Sequence, residues 1–479
     1  MSHHWAIAQR QARQASKQAG NKTDEDGSMR LWVGGGGRGE DGLEEEEEVL
    51  VLGSGLRSLP STSELSQEEP EAGTARSSVA TCTFNLINTI IGAGVLSLPY
   101  AFALTGYAGG IILLLLNVVG ADYSLRALLH CSKACGRRTY EGVTEFAFGR
   151  VGLAIVSASS ILLNIGAATA YIVIIGDTLP HLIVDFGGED FLARSWERIW
   201  CTGMVMMIAL IPLSLLRNVT YLGYTSLLSF ACVFVFVFVM LGIATEGPQH
   251  DPDAIEHTKP AAFVGSTNLF RAASLLAFSF TCHSTMFPIY LELEKPTVKR
   301  MTTAIHSAMI VCFGLYLIVG LCGYLTYQDT DGGVKGDVLV NIGLNENRAI
   351  TNVVRIMYLI SIISTYPLAL PPIRQAVGGL LFQNDHPTSW PILRHLALSF
   401  AVLVLTFLFG NYVPVLEFVF GLTGATGGVM LVYILPAAIS LKVRQRLSVT
   451  TRVILWTMLI VGIALGVLST AYTIVDHVS

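Results

Sequence analysis

The sequence predicts an all-α integral membrane protein that crosses its bilayer eleven times, and three observations carry that expectation. The chain is 52% hydrophobic and only 14% charged over 479 residues, with a mean hydropathy of +0.57, which is too apolar for a soluble protein of this length. Beyond residue 77 the apolar residues come in blocks long enough to cross hydrocarbon, for which about 20 residues suffice at the helical rise. The first block, TCTFNLINTIIGAGVLSLPYAFAL, holds no charge, yet it carries Gly92, Ala93 and Gly94 at its centre and Pro99 just beyond. Unpaired backbone groups are costly in lipid, so a break there is tolerated only inside protein or beside a wet cavity.

Residues 1–77 read as a disordered cytosolic tail and residues 78–479 as the membrane domain. The tail combines the glycines at 34–37 with the acidic run at 44–48 and few aromatics, a composition that cannot bury a core. Its VLVL at 49–52 reads as solvated linker. No apolar run occurs in the first 48 residues, so no secretory leader is expected and the first span serves as its own insertion signal.

The eleven segments fall near 79–104, 107–130, 151–177, 197–216, 221–244, 268–290, 304–327, 350–376, 391–410, 413–441 and 452–476. An odd number of spans puts the termini on opposite sides. With the N-terminus inside, the inner connections hold Arg126, Lys133, Arg137, Arg138, Arg150, Arg217, Lys295, Lys299, Arg300, Arg374, Arg394, Lys442, Arg444, Arg446 and Arg452. The outer side holds Arg194, Arg198, Lys259, Arg271, Lys335, Arg348 and Arg355, about half as many, so the N-terminus is expected to be cytosolic.

An internal echo accompanies this layout. GAGVLSLPY in the first span and TCHSTMFPIY in the sixth both place small or polar residues at mid-span, followed by a proline and a tyrosine. Interrupted helices at corresponding places in two halves point to an inverted-repeat transporter with its site at the breaks.

Other classes find little support. There is no H-E-x-x-H, no G-x-x-x-x-G-K-[ST] and no strand context for a nucleophile elbow, so no enzyme is expected. The net charge of -5 reflects the acidic run of the tail, and nothing is basic enough for nucleic acid. The eight cysteines lie in or beside apolar stretches, which argues against a disulfide framework or a zinc site.

The candidate chemistry is polar groups at membrane depth. If span one unwinds at Gly92 to Gly94, the amides of the following half-helix face the cavity with the positive end of its dipole, which suits a carboxylate. Close helix packing is the competing use of those glycines. Asn88 lies one turn earlier. In span eight, Ser361, Ser364 and Thr365 share a helix face, and their oxygens are hard ligands of the kind an alkali cation takes, although such hydroxyls commonly bond back to their own helix. His283, beside Cys282 in the break of span six, is either a proton-sensing group or a neutral wall of the pocket. Asn164 reads as interhelical glue, and Asp122 with Arg126 as a pair on one helix face.

At these residues the chain resembles a known family. FNLINTIIGAGVLSLPYA is similar to the first-span signature of the amino acid/auxin permeases, and specifically of the sodium-coupled neutral amino acid transporters of solute carrier family 38. Further similarity lies at NIGAATAYIVIIGDTLP (164–180), PLSLLRNVTYLGYTSLLSF (212–230), FSFTCHSTMFPIYLELEKPTVKRM (278–301), CGYLTY (322–327) and STYPLALPPIR (364–374). The resemblance implies a five-plus-five inverted repeat of the amine-transporter type with helices one and six interrupted. It also implies symport of a small neutral amino acid, such as glutamine, alanine or asparagine, with sodium as co-transported ion and no other cofactor. The family's sodium-liganding asparagine falls on Asn88 and its span-eight hydroxyl on Thr365, with Ser364 beside it. The carbonyl of Ile91 is a further ligand by analogy, and the backbone at Gly92, Ala93 and Gly94 would hold the substrate carboxylate.

Two departures bear on location. The outer loop at 245–267 is short, without the paired cysteines of several plasma-membrane members, and it has no N-x-[ST] sequon; Asn218-Val-Thr220 falls on the inner side. A lysosomal or vacuolar membrane, and proton rather than sodium coupling, therefore stand beside the plasma membrane and sodium. A further alternative is an amino-acid sensor that signals to an unidentified partner through its tail.

Overall fold

The computed structural model describes residues 77–187, 197–215, 220–247, 260–265, 267–330, 333–344, 347–381, 390–413, 415–444 and 446–478. These belong to one unit, Ala75–Ser479. The tail expected over 1–77 lies outside the described residues except for Ser77, as do Asn218 and most of the loop at 245–267.

Among the described residues, ten helices are long and apolar enough to cross a membrane, and a bent pair makes the eleventh. In chain order, span one is that pair, Val79–Ile90 and Gly94–Thr105, bent by 55°. Spans two to five are Tyr107–Cys135, Tyr140–Phe186, Glu197–Leu215 and Leu227–Thr245. Spans six to eleven are Asn268–Glu292, Val298–Tyr327, Arg348–Leu381, Ile392–Tyr412, Leu416–Val443 and Val449–Asp476. The end that bears Ser77 is called the tail end below, and the opposite one the far end.

Two spans run longer than their apolar blocks. Span three begins at Tyr140 because a short helical stretch, residues 140–148, precedes a kink at Gly149, where φ is 65°. Glu141, Glu145 and Arg150 keep that stretch out of the hydrophobic pattern. Span eight is two helices in series, Arg348–Thr365 and Leu370–Leu381, joined by a 3-10 turn over Tyr366–Ala369. Pro367 has no N–H to offer the ladder, so the helix tightens there.

Of the ten unbent spans, span six is the most enclosed, with 72% of its apolar window buried, and span eleven the least at 17%, so span six sits centrally and the last one lies outside. Without a hydrophobic drive between helices in lipid, close contact relies on small residues. Gly427 of span ten has no room for a Cβ against Ser159 and Leu163 of span three, and Gly424 packs directly on the Ser274 carbonyl of span six. Gly323 of span seven meets Pro99 of span one in the same way. At the tail end, Ser77 pairs with the end of span six through two backbone hydrogen bonds, Ser77 N–H to Glu292 and Glu294 N–H to Ser77, at 2.8 and 2.9 Å. Asp122 and Arg126 form the expected ion pair at 2.8 Å, and His306 of span seven adds a 2.6 Å contact to the same carboxylate.

Candidate functional site at the two helix breaks

Span one stops at Ile90 and resumes as a 3-10 turn from Ala93. The break frees carbonyls from the ladder, and side chains of other spans gather them. Tyr316 of span seven donates to Ile90 at 2.6 Å and to the Ser279 carbonyl of span six at 3.0 Å, so a single hydroxyl bridges both interrupted helices. Tyr358 of span eight donates to the Gly92 carbonyl at 3.3 Å, and Ser279 and Ser97 donate to that of Gly94 at 3.3 and 3.0 Å. No described group donates to the carbonyl of Ile91. Asn88, one turn below, is 9% exposed, and its amide has no hydrogen-bond partner among the described residues.

The glycines have separate duties. A Cβ on Gly94 would stand 2.7 Å from the Ser279 hydroxyl and 3.1 Å from the Ser279 Cα, so Gly94 is required for the packing of span one on span six. A Cβ on Gly92 would meet only the Tyr171 hydroxyl, at an ordinary 3.4 Å. The space in front of Gly92 is therefore bounded by Tyr171 of span three, which itself packs on Tyr366 at 6.2 Å between centroids.

Span six breaks over Phe280 to Cys282, between helices Asn268–Ser279 and His283–Glu292. Apart from the Ser279 carbonyl, which Tyr316 serves, this break is bridged by its own residues: Thr281 donates to Ala277 at 2.7 Å and Thr285 to Cys282 at 2.9 Å. His283 is fully buried, with Nε2 2.6 Å from the Ser124 hydroxyl of span two and Nδ1 without a partner. Of the two readings of His283, a proton-sensing group or a neutral wall of the pocket, this arrangement resembles the second: Ser124 occupies its one engaged nitrogen and no surface of the ring is open. Asn164 likewise donates to Ser160 of its own helix at 2.8 Å rather than across helices.

In span eight the hydroxyls of Ser361 and Thr365 converge on Ser229 of span five, at 2.7 and 2.8 Å. Ser364 is buried beside them. Span five is in turn held to Asn88's helix by the edge-on contact of Phe84 with Phe230, 5.0 Å between centroids, one turn from Asn88 and one residue from Ser229. The helix of Asn88 and the span-eight hydroxyls thus both contact span five. Sequence reasoning missed Ser229, Ser279 and the tyrosines at 171, 316 and 358. Their signal was a hydroxyl at membrane depth, which a buried tyrosine or serine must spend on a partner.

A bundle with paired interruptions in its first and sixth spans is the architecture of a five-plus-five inverted-repeat membrane transporter. A solved Na+-coupled sialic acid symporter in its substrate-bound outward-open state shares the fold, with a TM-score of 0.52 at 11% identity, covering 86% of this chain and 93% of that one. The model of the transmembrane amino acid transporter protein family matches residues 75–477, and the chain belongs to that family. Sodium-coupled neutral amino acid symporter 2 of Danio rerio is 31% identical over 400 residues, which is 79% of this chain and 78% of the relative.

Proposed function

We propose that this amino acid transporter family member carries small neutral amino acids, of the glutamine, alanine or asparagine kind, across its membrane together with sodium, with its N-terminus in the cytosol. The observation that supports this most is the set of oxygen donors on two helices that both contact span five: the Ile91 carbonyl and Asn88 amide, without partners among the described residues, on span one, and the hydroxyls of Ser361, Ser364 and Thr365 on span eight. Hard oxygen donors without a cationic side chain among them fit an alkali ion. The amides of Ala93 and Gly94, entering the second half of span one, suit a carboxylate, and the clearance in front of Gly92 lets a ligand approach the backbone. His283 then acts as a wall of the span-six break rather than as a ligand.

The name of the symporter that is 31% identical supports sodium as the coupling ion. Either the plasma membrane or a lysosomal or vacuolar membrane accommodates the reading. Uptake of labelled amino acids into vesicles, with sodium exchanged for choline at several pH values, tests it: uptake should collapse in choline. Uptake that survives choline and follows a pH gradient replaces sodium with the proton.

A further inference from the structure

At the far end, the connection between spans seven and eight folds inward as a short helix, Val338–Ile342. Val338, Leu339, Asn341 and Ile342 are all buried, and the helix touches the 3-10 turn of span one. Asn341 ties its own loop together, accepting from the Lys335 N–H at 2.8 Å and donating to Gly333 at 3.0 Å, while Thr351 of span eight donates to Ile342 at 3.1 Å. The segment is a stopper seated over the break that the transport reading treats as the site.

Its first turn is capped by Asp337, whose Oδ1 accepts the Leu339 N–H at 2.9 Å. Asp337 is 4% exposed, and its Oδ2 is buried with no partner. What faces it is mainly negative. Span ten sets the Glu417 carboxylate directly against Gly336, and span three brings Asp177, already paired with Arg198 of span four. Span eight brings Arg355, but that guanidinium is committed to Asp185 at 3.4 Å and rests on Gly343 at the other end of the stopper. Tyr358, which holds the Gly92 carbonyl, lies within electrostatic reach of Asp337 as well.

We propose that Asp337 is a proton-binding site that couples the mouth to pH: seated, the stopper holds Asp337 protonated, and lifting it returns the carboxyl to water, where it ionises. A buried carboxylate with one oxygen unpaired, no cation of its own and two acidic neighbours is the unfavourable form, whereas the acid puts a hydrogen on the orphaned oxygen. Burial, then the Asp177 and Glu417 charges, push this carboxyl up to about 7 against the Leu339 hydrogen bond and the Arg355 charge. In water it returns to roughly 3.9. The sign follows: between those values seating takes up one proton, so the seated form gains about tenfold for each unit of falling pH and gains nothing further outside that window.

The proposal rests on the transport reading only in treating the far end as a mouth that opens. Full-length protein in lipid vesicles, with either Ile342→Cys on the buried face of the stopper or Val340→Cys on its exposed face, is labelled with a water-soluble maleimide and read by mass spectrometry at that peptide. The ratio of the two labelling rates removes the thiol's own pH dependence. It should fall by about tenfold per unit as pH drops from about 7 to about 5. Asp337→Asn should fix the ratio at its low value at every pH, and Glu417→Gln, which removes one facing charge, should move the midpoint to lower pH. A flat wild-type ratio, a pH dependence that survives Asp337→Asn, or a midpoint unmoved by Glu417→Gln overturns the site. No amino-acid flux enters this readout, so loss of sodium-driven uptake with the pH-dependent ratio intact removes the transport reading and leaves the proton site.

Discussion

The two helix breaks solve the same problem in opposite ways. Span one is interrupted by glycines, which bring no hydrogen-bonding side chains of their own, so its freed carbonyls are held by Tyr316, Tyr358 and Ser279 from three other spans. Span six is interrupted among Thr281, Cys282 and Thr285, whose side chains and carbonyls close the break from within. The first break depends on its neighbours and leaves the Ile91 carbonyl on offer; the second takes one donor from outside, Tyr316 on the Ser279 carbonyl, and is otherwise closed by its own residues. A ligand that competes for backbone groups should therefore feel substitutions at span one far more than at span six.

The largest effects are expected at the residues proposed to hold the cation. Asn88→Ala and Thr365→Ala should each raise the sodium concentration for half-maximal uptake by about tenfold or more, the loss of a hydrogen bond or ion contact of order 1.5–3 kcal/mol. The double variant should fall well short of the product of the two, because residues that share one ion are not additive. Sodium activation curves of the three variants measure this, and independent effects would separate Asn88 from the span-eight hydroxyls.

The glycines sharpen the contrast within span one. Gly94→Ala should reduce the amount of folded protein, since its Cβ must displace Ser279 of the neighbouring helix. Gly92→Ala has ordinary clearance at 3.4 Å from the Tyr171 hydroxyl, so it should insert normally yet lose substrate affinity, by about fivefold or more, through the space its methyl occupies. Detergent-exclusion chromatography and uptake, measured on the same preparations, tell the two apart. Equal behaviour would mean that both glycines only pack.

Tyr316→Phe comes next. It leaves the Ile90 and Ser279 carbonyls without their bridging donor, a cost of about 1–3 kcal/mol at a buried site. A fall in unfolding temperature together with slowed uptake is expected. In span six, His283→Gln is expected to preserve the pH profile of uptake, because the ring is fully buried against Ser124 and meets no solvent in this arrangement. A flattened profile would restore His283 to the cavity.

How far these features were legible depends on whether they are local in the chain. Apolar blocks gave the eleven spans, because hydrophobic length is a one-dimensional property. Both breaks were legible too, from Gly92–Gly94 and from the polar run at 281–285, since helix termination is decided within a few residues. The cross-span partners were not: Tyr316 meets Ile90 across 226 positions and Ser229 meets Thr365 across 136, even though Thr365 also bonds back to Ser361 of its own helix, and hydropathy marks neither contact. Asp337 was passed over for the same reason. In the sequence it is one acidic residue in a polar loop, and only the inward fold of that loop buries it.

The smallest effect is expected from the tail, and it tests whether the two breaks are governed from outside the bundle. Span one and span six are tied at the tail end through Ser77, whose backbone pairs with Glu292 and Glu294. Residues 1–70 stop short of that bridge and lack the apolar content to add to the site proposed on spans one, five and eight. Deleting 1–70 should therefore leave transport per inserted molecule within about twofold of wild type, worth only ~0.4 kcal/mol. Extending the deletion through Ser77 removes both backbone hydrogen bonds and frees the first half of span one from the end of span six, so uptake should change more than with the shorter deletion. Abundance in the membrane has to be measured alongside, because the acidic run at 44–48 can affect sorting without touching the transport cycle. If the shorter truncation inserts and binds amino acid but no longer moves it, the tail acts as a gate on the Ser77 bridge, and the difference between the two breaks is controlled by the segment that precedes them both.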